Sequence, residues 1–508
     1  MTPSQRVFVN TAVQYVKTII NMVLSLYIIR IVLLALGEED FGIYSLIAGV
    51  IAMLSFLTNA MVSTTQRFVS FYQGKGDLDL LKRVFNNSLC VHIGLAFTTV
   101  LVLEFLTPVI FSGFLNVPVE RLDAAKVVYQ IAACILFLTF INSPFRALLV
   151  SYENIIYISI VEVLDAVVKL LLALLIPLVP FDRLVYFGLM MFAVQLFNFM
   201  AISIYCYINY SEAVFPNLRK IDKEYIFQLA SFAGWTLYSS GCVLGRQQGI
   251  AVVLNRFAGP AINAAYGIGF QVASYTNFLA QSLINAVTPQ IVKSEAAGDR
   301  GRALWLSYVT CKFIFFLLSM LCIPCMFEIN TILSVWLKDV PNYTPFFCIM
   351  VMLTLLADAL TIGLTYINQA IGNIKWYSII MYTPKLITLP LFAIFLYFDL
   401  PFVVAASVYV SIELLCAILR LPFLKHTAGL NVAQFVKQVF CRELLPTAVI
   451  TVSCSIITNY FAESNWRVLT TFSIAIASYV VAIWLCGLDF KEKSIISKIL
   501  ISRLRIYQ

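Results

Sequence analysis

Residues 37–77, GEEDFGIYSLIAGVIAMLSFLTNAMVSTTQRFVSFYQGKGD, recur as residues 259–299, GPAINAAYGIGFQVASYTNFLAQSLINAVTPQIVKSEAAGD, at a constant offset of 222 and without a gap. Seven positions are identical: Gly37/Gly259, Tyr44/Tyr266, Val50/Val272, Phe56/Phe278, Leu57/Leu279, Gly76/Gly298 and Asp77/Asp299. Identity alone says little, because apolar helices resemble one another by composition. The polar positions say more. Ser55, Asn59, Ser63 and Gln66 fall at i, i+4, i+8 and i+11, a single helical face. The offset lands on Asn277, Gln281, Asn285 and Thr288, again all polar and again on one face. A shared apolar background does not create matching polar stripes. The chain therefore reads as two related lobes, each presenting a hydrophilic helix face inside a membrane, as transporters do.

The membrane assignment rests on composition. The 508 residues are 61% apolar and only 12% charged, against about 25% charged for a soluble domain, and the mean hydropathy is +0.91. Apolar runs of the ~20 residues that span a bilayer recur fourteen times, at 7–36, 41–67, 84–111, 127–150, 155–179, 184–207, 227–255, 264–290, 303–327, 345–370, 376–398, 402–424, 443–461 and 468–487. The expected fold is an all-α integral membrane protein. Its first run is too long for a signal peptide and is interrupted by Lys17 and Arg30, so it should remain as helix 1. The twelve cysteines show no disulfide framework, and the Cys322–Cys325 pair around Pro324 reads as packing at a helix end.

An even helix count puts both termini on one side. Of 34 basic residues, 22 fall on that side and 6 on the other, so both termini are expected to be cytoplasmic. That count takes Arg146 as cytoplasmic and Arg420 with the 12–13 loop, each near the inner end of its span. The net charge of +8 is mostly this asymmetry and does not point to nucleic acid. The polar stretch 208–226 contains Pro216, and 7 + 222 = 229 matches the start of helix 7. The expected organisation is an N-terminal six-helix lobe over 1–207, a cytoplasmic linker over 208–226 and a C-terminal six-helix lobe over 227–424. Two extra helices and a basic tail follow over 425–508. Six helices per lobe make the lobes parallel repeats about an axis along the membrane normal.

Ionisable residues inside a bilayer are costly unless they face water, a partner or a cargo. Helix 1 places Asn10, Gln14, Lys17 and Asn21 on one face, with Lys17 ~15 Å along the helix from residue 7 at about 1.5 Å per residue. Arg30 lies nearer the outer end, and helix 7 carries Arg246, Gln247 and Gln248. Helices 1, 2, 7 and 8 thus hold three buried cations and no buried acid, a charge balance that calls for a visiting anion. Glu162, Asp165 and Lys169 share one face of helix 5 and read as a self-neutralising cluster. Among Lys312, Asp358, Lys385 and Glu413 of the second lobe, Asp358 is the ion-coupling candidate, as a lone membrane carboxylate. Gly241, Gly245 and Gly249 form a small-residue face for close helix contact.

The 6 + 6 + 2 arrangement, the junction ALGEEDFGIYSLI, the run TTQRFVSFYQGKGD, and the second-lobe pieces LNRFAGPAINAAYGIG and TPQIVKSEAAGD resemble a known family across the whole chain. It is similar to the polysaccharide (O-antigen-type) flippases of the multidrug/oligosaccharidyl-lipid/polysaccharide exporter superfamily. The resemblance implies a V-shaped, two-lobed cavity lined by helices 1, 2, 7 and 8, working by alternating access in the bacterial inner membrane. Its cargo would be a polyprenyl-diphosphate-linked oligosaccharide, with glycan assembly enzymes as neighbours and no cofactor. Lys17, Arg30 and Arg246 would hold the diphosphate. Asn21, Asn59, Ser63, Gln66, Asn277, Gln281 and Asn285 would meet the glycan. Rival readings are a cation-coupled multidrug exporter of the same fold, a peptidoglycan lipid-precursor flippase, and a membrane glycan polymerase or ligase. The last needs a substantial outer loop with catalytic groups. This sequence offers short outer loops, two histidines (His92 and His426), and no Walker loop or Ser/His/Asp set.

Overall fold

The computed structural model describes residues 3–52, 54–111, 118–337, 340–490, 492–494 and 497. The end of the expected basic tail, including Lys498, Arg503 and Arg505, lies outside them, as do Lys338 and the side chains of Arg6 and Ser55. Among the described residues the regular structure is entirely helical. The first half comprises α1 (Pro3–Ala52), α2 (Ser55–Lys75), α3 (Leu78–Val109), α4 (Leu122–Ser151), α5 (Ile155–Leu175) and α6 (Arg183–Asn209). The second half comprises α7 (Lys223–Ala258), α8 (Pro260–Ala296), α9 (Arg300–Phe327), α10 (Ile329–Trp336), α11 (Thr344–Ala359), α12 (Gly363–Ile371), α13 (Ile374–Tyr397) and α14 (Phe402–Ala428). It is followed by α15 (Val432–Gln438), α16 (Phe440–Tyr460) and α17 (Asn465–Ala482).

Both ends of the sequence repeat appear as matching backbone. Gly37 kinks α1 at φ 81°, ψ 171°, and Gly259 precedes α8 at φ 87°, ψ 171°, a left-handed-side conformation that glycine adopts without a Cβ clash. At the other end Gly76 and Gly298 take φ 72° and 80°. Asp77 then caps α3 by accepting from the Leu80 N–H, and Asp299 caps α9 by accepting from the Arg302 N–H. Three of the seven shared positions thus mark two turns built the same way in both copies.

Among the described residues nine helices are long and apolar enough to cross a membrane. The count is ten if α11 and α12, bent by 49°, form one span. The four remaining expected spans are present as helices: the region after Gly37 through α2, α7 and α8 are more polar, while α5 is strongly apolar but carries Glu162, Asp165 and Lys169. These are the segments that carry the polar stripes, the α5 charges and Arg246. Large apolar side chains such as Phe105, Ile208 and Trp466 are about four-fifths exposed, as expected of surfaces that face lipid.

The chain divides into two compact units, one over Phe8–Leu237 and one that begins at Tyr238. The boundary falls inside α7, beyond the polar segment 208–226, because α7 runs unbroken from Lys223 to Ala258. In the first unit α3, α4 and α6 pack around Tyr129, whose hydroxyl donates to the Leu103 carbonyl (2.8 Å). In the second, Tyr266, Phe347, Phe392 and Tyr409 form the corresponding core. The extra helices belong to the second unit. Arg467 of α17 binds the buried Glu328 (2.9 Å), Thr471 donates to the same carboxylate (2.8 Å), and Lys312 of α9 binds Glu492 (2.7 Å). Cys322 and Cys325 sit in an apolar cluster with Ile329, Leu333 and Met352, which agrees with the packing reading.

The first unit is tied at one end by Arg121, which binds Asp40 of α1 (2.7 Å) and Asp182 at the start of α6 (2.6 Å). Burial pushes the Asp182 carboxyl up, but hydrogen bonds from Arg121 and from the Val185 and Leu184 N–H groups outweigh it and hold it below the ordinary carboxylate value. A depressed folded-state value means that this contribution is complete above about pH 4 and is lost as pH falls through the folded value. Arg121→Ala should lower stability in detergent by about 1–2 kcal/mol, between the exposed and buried limits for ion pairs. The gap in melting temperature between wild type and variant should narrow as the buffer is taken from about pH 5 to about pH 3.

Candidate functional site

Each unit has a polar cavity, and each cavity is organised by an ion network. In the second unit α7 supplies Arg246, α11 Asp358, α13 Lys385, and α14 both Glu413 and Arg420. Arg246 Nη1 donates to Glu413 Oε2 (2.9 Å), and Lys385 Nζ bonds the other oxygen of the same carboxylate. Lys385 also lies 3.9 Å from Asp358, which accepts from Arg420 Nη2 (2.6 Å). Arg420 Nη1 further donates to Thr361 (3.1 Å), and the Arg246 guanidinium stacks 4.2 Å from the centre of the Tyr409 ring. The result is a continuous chain of three cations and two carboxylates lining a cavity of about 430 Å³, with Gln247, Asn277, Gln369, Tyr366 and Tyr382 around it. Among the described residues neither Arg246 Nε nor Arg420 Nε has a hydrogen-bond partner, although both are buried. Two buried donors thus stay without a partner among the described residues, and the network carries one surplus positive charge.

The glycine face of α7 helps to place this network. A Cβ at Gly249 would lie 1.7 Å from Leu389 Cδ1, and one at Gly245 would lie 3.2 Å from Leu386 Cδ1. Small residues here let α7 pack closely on α13, beside the helix turn that carries Arg246.

The first unit repeats the balance with other residues. Lys17 of α1 binds Glu162 of α5 (2.6 Å), Arg146 of α4 bonds the other oxygen of Glu162, and Lys169 binds Asp165 (2.8 Å). Arg146, Glu162, Asp165 and Lys169 line a cavity of about 540 Å³, and Lys17 reaches it only through Glu162; the rest of the wall is mostly neutral and polar, with Asn21, Ser25, Thr58, Asn59, Thr139, Asn142, Ser143, Gln195 and Asn198 beside Ile28, Val62 and Ala166. Asn142 Nδ2 donates to Asn198 Oδ1 (3.0 Å) and Gln195 Nε2 to Thr139 Oγ1 (3.1 Å), while Asn142 Oδ1 and Asn21 Oδ1 have no partner among the described residues. Hydroxyl-rich ligands need such mixed donors and acceptors.

The structure corrects the expected charge pattern. Lys17 and Arg246, read as unpaired, both have carboxylate partners, and Asp358, read as a lone acid, is held by Arg420 and Lys385. The reason is tertiary: the counter-ions come from α5 and α14, far along the chain, and unpaired charge is too costly in a low-dielectric interior. Glu162 turns away from the expected α5 cluster to join Lys17, leaving only Asp165–Lys169 as an intrahelical pair. Arg146 and Arg420, counted with the cytoplasmic basic residues, lie in α4 and α14 and line the two cavities. Asn10 is a structural residue, buried and donating to the Glu153 carbonyl (2.9 Å).

Of the expected binding residues, Asn21 and Asn59 line the first cavity and Arg246, Asn277 and Asp358 the second. Arg30, Ser63, Gln66, Gln281 and Asn285 line neither. Arg30 and Ser63 are exposed, Gln66 is half-buried with its carbonyl accepting from Ser151 (3.3 Å), and Gln281 donates to Asn285 (3.0 Å). Thr139, Asn142, Gln195 and Asn198 were not singled out from the sequence. A signal was available, since Thr139, Asn142, Ser143 and Arg146 fall at i, i+3, i+4 and i+7. No grouping of three or more His, Cys, Asp or Glu side chains suited to a metal occurs among the described residues.

The family described as polysaccharide biosynthesis protein matches residues 4–295. No curated protein matches the chain in sequence. Solved structures share the fold at low identity. A MATE transporter in a bent conformation has a TM-score of 0.73 at 12% identity, covering 86% of this chain and 99% of its own. A MOP-superfamily transporter from Pyrococcus furiosus, described as having a binding pocket of reverse polarity that suggests a different function, has a TM-score of 0.69 at 12% identity, covering 86% and 99%. The MATE transporter ClbM, in complex with Rb+, has a TM-score of 0.68 at 14% identity, covering 82% and 94%. The fold is thus that of multi-pass membrane transporters, not of enzymes.

Glu413 bridges two cations with both oxygens, so Glu413→Gln would leave Arg246 without its carboxylate and Lys385 with only Asp358, 3.9 Å away. The variant should lose about 3 kcal/mol of stability, the cost of breaking a buried pair. Thermal unfolding in detergent measures this, with Lys169→Gln, at a half-exposed pair, expected to cost under about 1 kcal/mol.

Proposed function

The chain belongs to the polysaccharide biosynthesis protein family, and from that premise we propose that it is a flippase for a polyprenyl-diphosphate-linked oligosaccharide. It would work by alternating access, with a cationic central cavity, in a bacterial inner membrane, both termini facing the cytoplasm, and would serve surface polysaccharide assembly such as that of O-antigen lipopolysaccharide. One observation carries this reading: the second-unit cavity holds three cations against two carboxylates and keeps two buried guanidinium nitrogens without partners. Guanidinium forks suit phosphate oxygens, and desolvation strengthens the contact.

In this reading Arg246, with Arg420 and Lys385 beside it, takes the diphosphate, and Lys17 and Arg30 assist along its route. Asn21, Asn59, Ser63, Gln66, Asn277, Gln281 and Asn285 exchange hydrogen bonds with sugar hydroxyls. Asp358 is the ion-coupling residue of this reading, trading its Arg420 partner for a cation or a proton. A drug exporter driven by cations would instead need an acid left free for the drug, whereas both acids of this cavity are held by cations. A flippase for the peptidoglycan lipid precursor would use the same phosphate chemistry and differs only in the sugars.

Proteoliposomes loaded with a polyprenyl-diphosphate oligosaccharide test the proposal. Arg246→Glu should cut translocation at least about tenfold, as expected for loss of one charge-assisted contact, and Arg246→Lys should retain an intermediate rate. Wild-type rates in a folded Arg246→Glu protein would overturn the reading. Efflux of an organic cation that depends on Asp358, without lipid transport, would move the protein to the drug-exporter alternative.

A further inference from the structure

A third cavity, of about 720 Å³, lies where α3 begins and where the segment between α6 and α7 passes beside it. Lys82 and Arg83 enter its wall from α3, Arg219 and Lys220 from the short turn Leu218–Lys220, and Lys223 from the start of α7. Only two acids, Asp79 and Asp222, stand against these five cations. None of the five forms an ion pair among the described residues. Like charges at this density repel, so other contacts must hold the wall together.

Asparagines do so. Buried Asn86 donates to the Asn217 carbonyl (3.2 Å) and accepts from the Asn217 N–H (2.7 Å), closing a two-bond clasp between α3 and the connecting segment. Buried Asn87 accepts from the Asp222 N–H (3.0 Å) and donates to the Arg83 carbonyl (2.9 Å). Asn217 then caps the turn by accepting from the Arg219 N–H (3.0 Å). The backbone beneath the cations is therefore fixed before any ligand arrives, which lowers the ordering cost of binding.

The surroundings identify the ligand. Phe215 and Leu218, on the same segment, are about three-quarters exposed, and Phe227 in the first turns of α7 is equally so. Phe215 is held in place by stacking on Tyr207, with ring centres 4.6 Å apart. A basic cup beside protruding apolar side chains matches a molecule with a phosphate at one end and hydrocarbon at the other. It also lies among the loops where basic residues are concentrated, as expected of a surface that meets anionic headgroups. We propose that this cavity binds the headgroup phosphate of an anionic phospholipid, with Lys82, Arg83, Arg219 and Lys220 facing the phosphate and the acyl chains lying along Phe215 and Leu218. The site is separate from both central cavities, and its occupation does not depend on what the protein transports.

Binding to the purified full-length protein tests this directly, using short-chain phosphatidylglycerol, phosphatidylcholine of the same chain length, inorganic phosphate and a short-chain polyprenyl diphosphate as probes. Phosphatidylglycerol should bind at least about tenfold more tightly than phosphatidylcholine, because only the former adds net charge to a site where each basic group contributes. The double variants Arg219→Glu/Lys220→Glu and Lys82→Gln/Arg83→Gln should each erase that preference while keeping the wild-type melting temperature. The second pair avoids charge reversal. Equal binding of the two phospholipids, or an unchanged preference in both variants, would overturn the proposal. Full displacement of phosphatidylglycerol by equimolar inorganic phosphate would make this a simple anion site, and stronger binding of the polyprenyl diphosphate would make it a cargo site. Either result overturns the phospholipid assignment and leaves the transport reading standing.

Discussion

Charge placed in a low-dielectric interior must find opposite charge, and that requirement organises both halves of this protein. The first unit sets Lys17, Arg146 and Lys169 against Glu162 and Asp165. The second sets Arg246, Lys385 and Arg420 against Asp358 and Glu413. In the order of the expected spans, these residues come from helices 1, 4 and 5 in one unit and from helices 7, 10, 11 and 12 in the other. The sequence repeat covers only 37–77 and 259–299, yet the arithmetic of three cations and two acids holds well outside it. What is shared is the electrostatic balance, not the residues that achieve it.

The two networks differ in depth, and depth decides what they do. Arg246 and Glu413 are 6% and 1% exposed in their side chains, whereas Lys17 and Glu162 are 15% and 17% exposed. A fully buried pair is costly to break, and a wetter one is cheap. The second-unit network thus joins α7, α11, α13 and α14 while keeping donors available. The first-unit network borders a wall of amides and hydroxyls that water, or sugar hydroxyls, can satisfy.

Much of the architecture was legible in the sequence. Span length and composition give the helices, and Gly37/Gly259 and Gly76–Asp77/Gly298–Asp299 mark turns that the backbone repeats. The stripes led to Asn59 and Asn277 in the cavities, but Ser63, Gln66, Gln281 and Asn285 face elsewhere. A helical period says which residues share a face, and not what that face meets. For the same reason Lys17 looked unpaired: its partner Glu162 sits on another helix that no local pattern connects to it. Arg146 and Arg420 were counted with the cytoplasmic basic residues although the expected spans 127–150 and 402–424 already contain them; a charge near the end of a span reads as a loop residue until its tertiary partner is known. The three more polar helices and the charged α5 are informative because they carry the stripes, the α5 charges and Arg246.

The bond between Glu328 and Arg467 spans 139 residues of sequence, and this separation has a consequence for how the chain is made. Translation proceeds from the N-terminus, and α9 and α10 are inserted long before α17 exists. Throughout that interval Glu328 is a buried carboxylate without its counter-ion, and Lys312 awaits Glu492 in the same way. The second unit cannot reach this packing until α16 and α17 have been made. A chain cut short before residue 467 would leave both Glu328 and Lys312 without their counter-ions, so the extra helices neutralise charge that the second unit would otherwise bury bare.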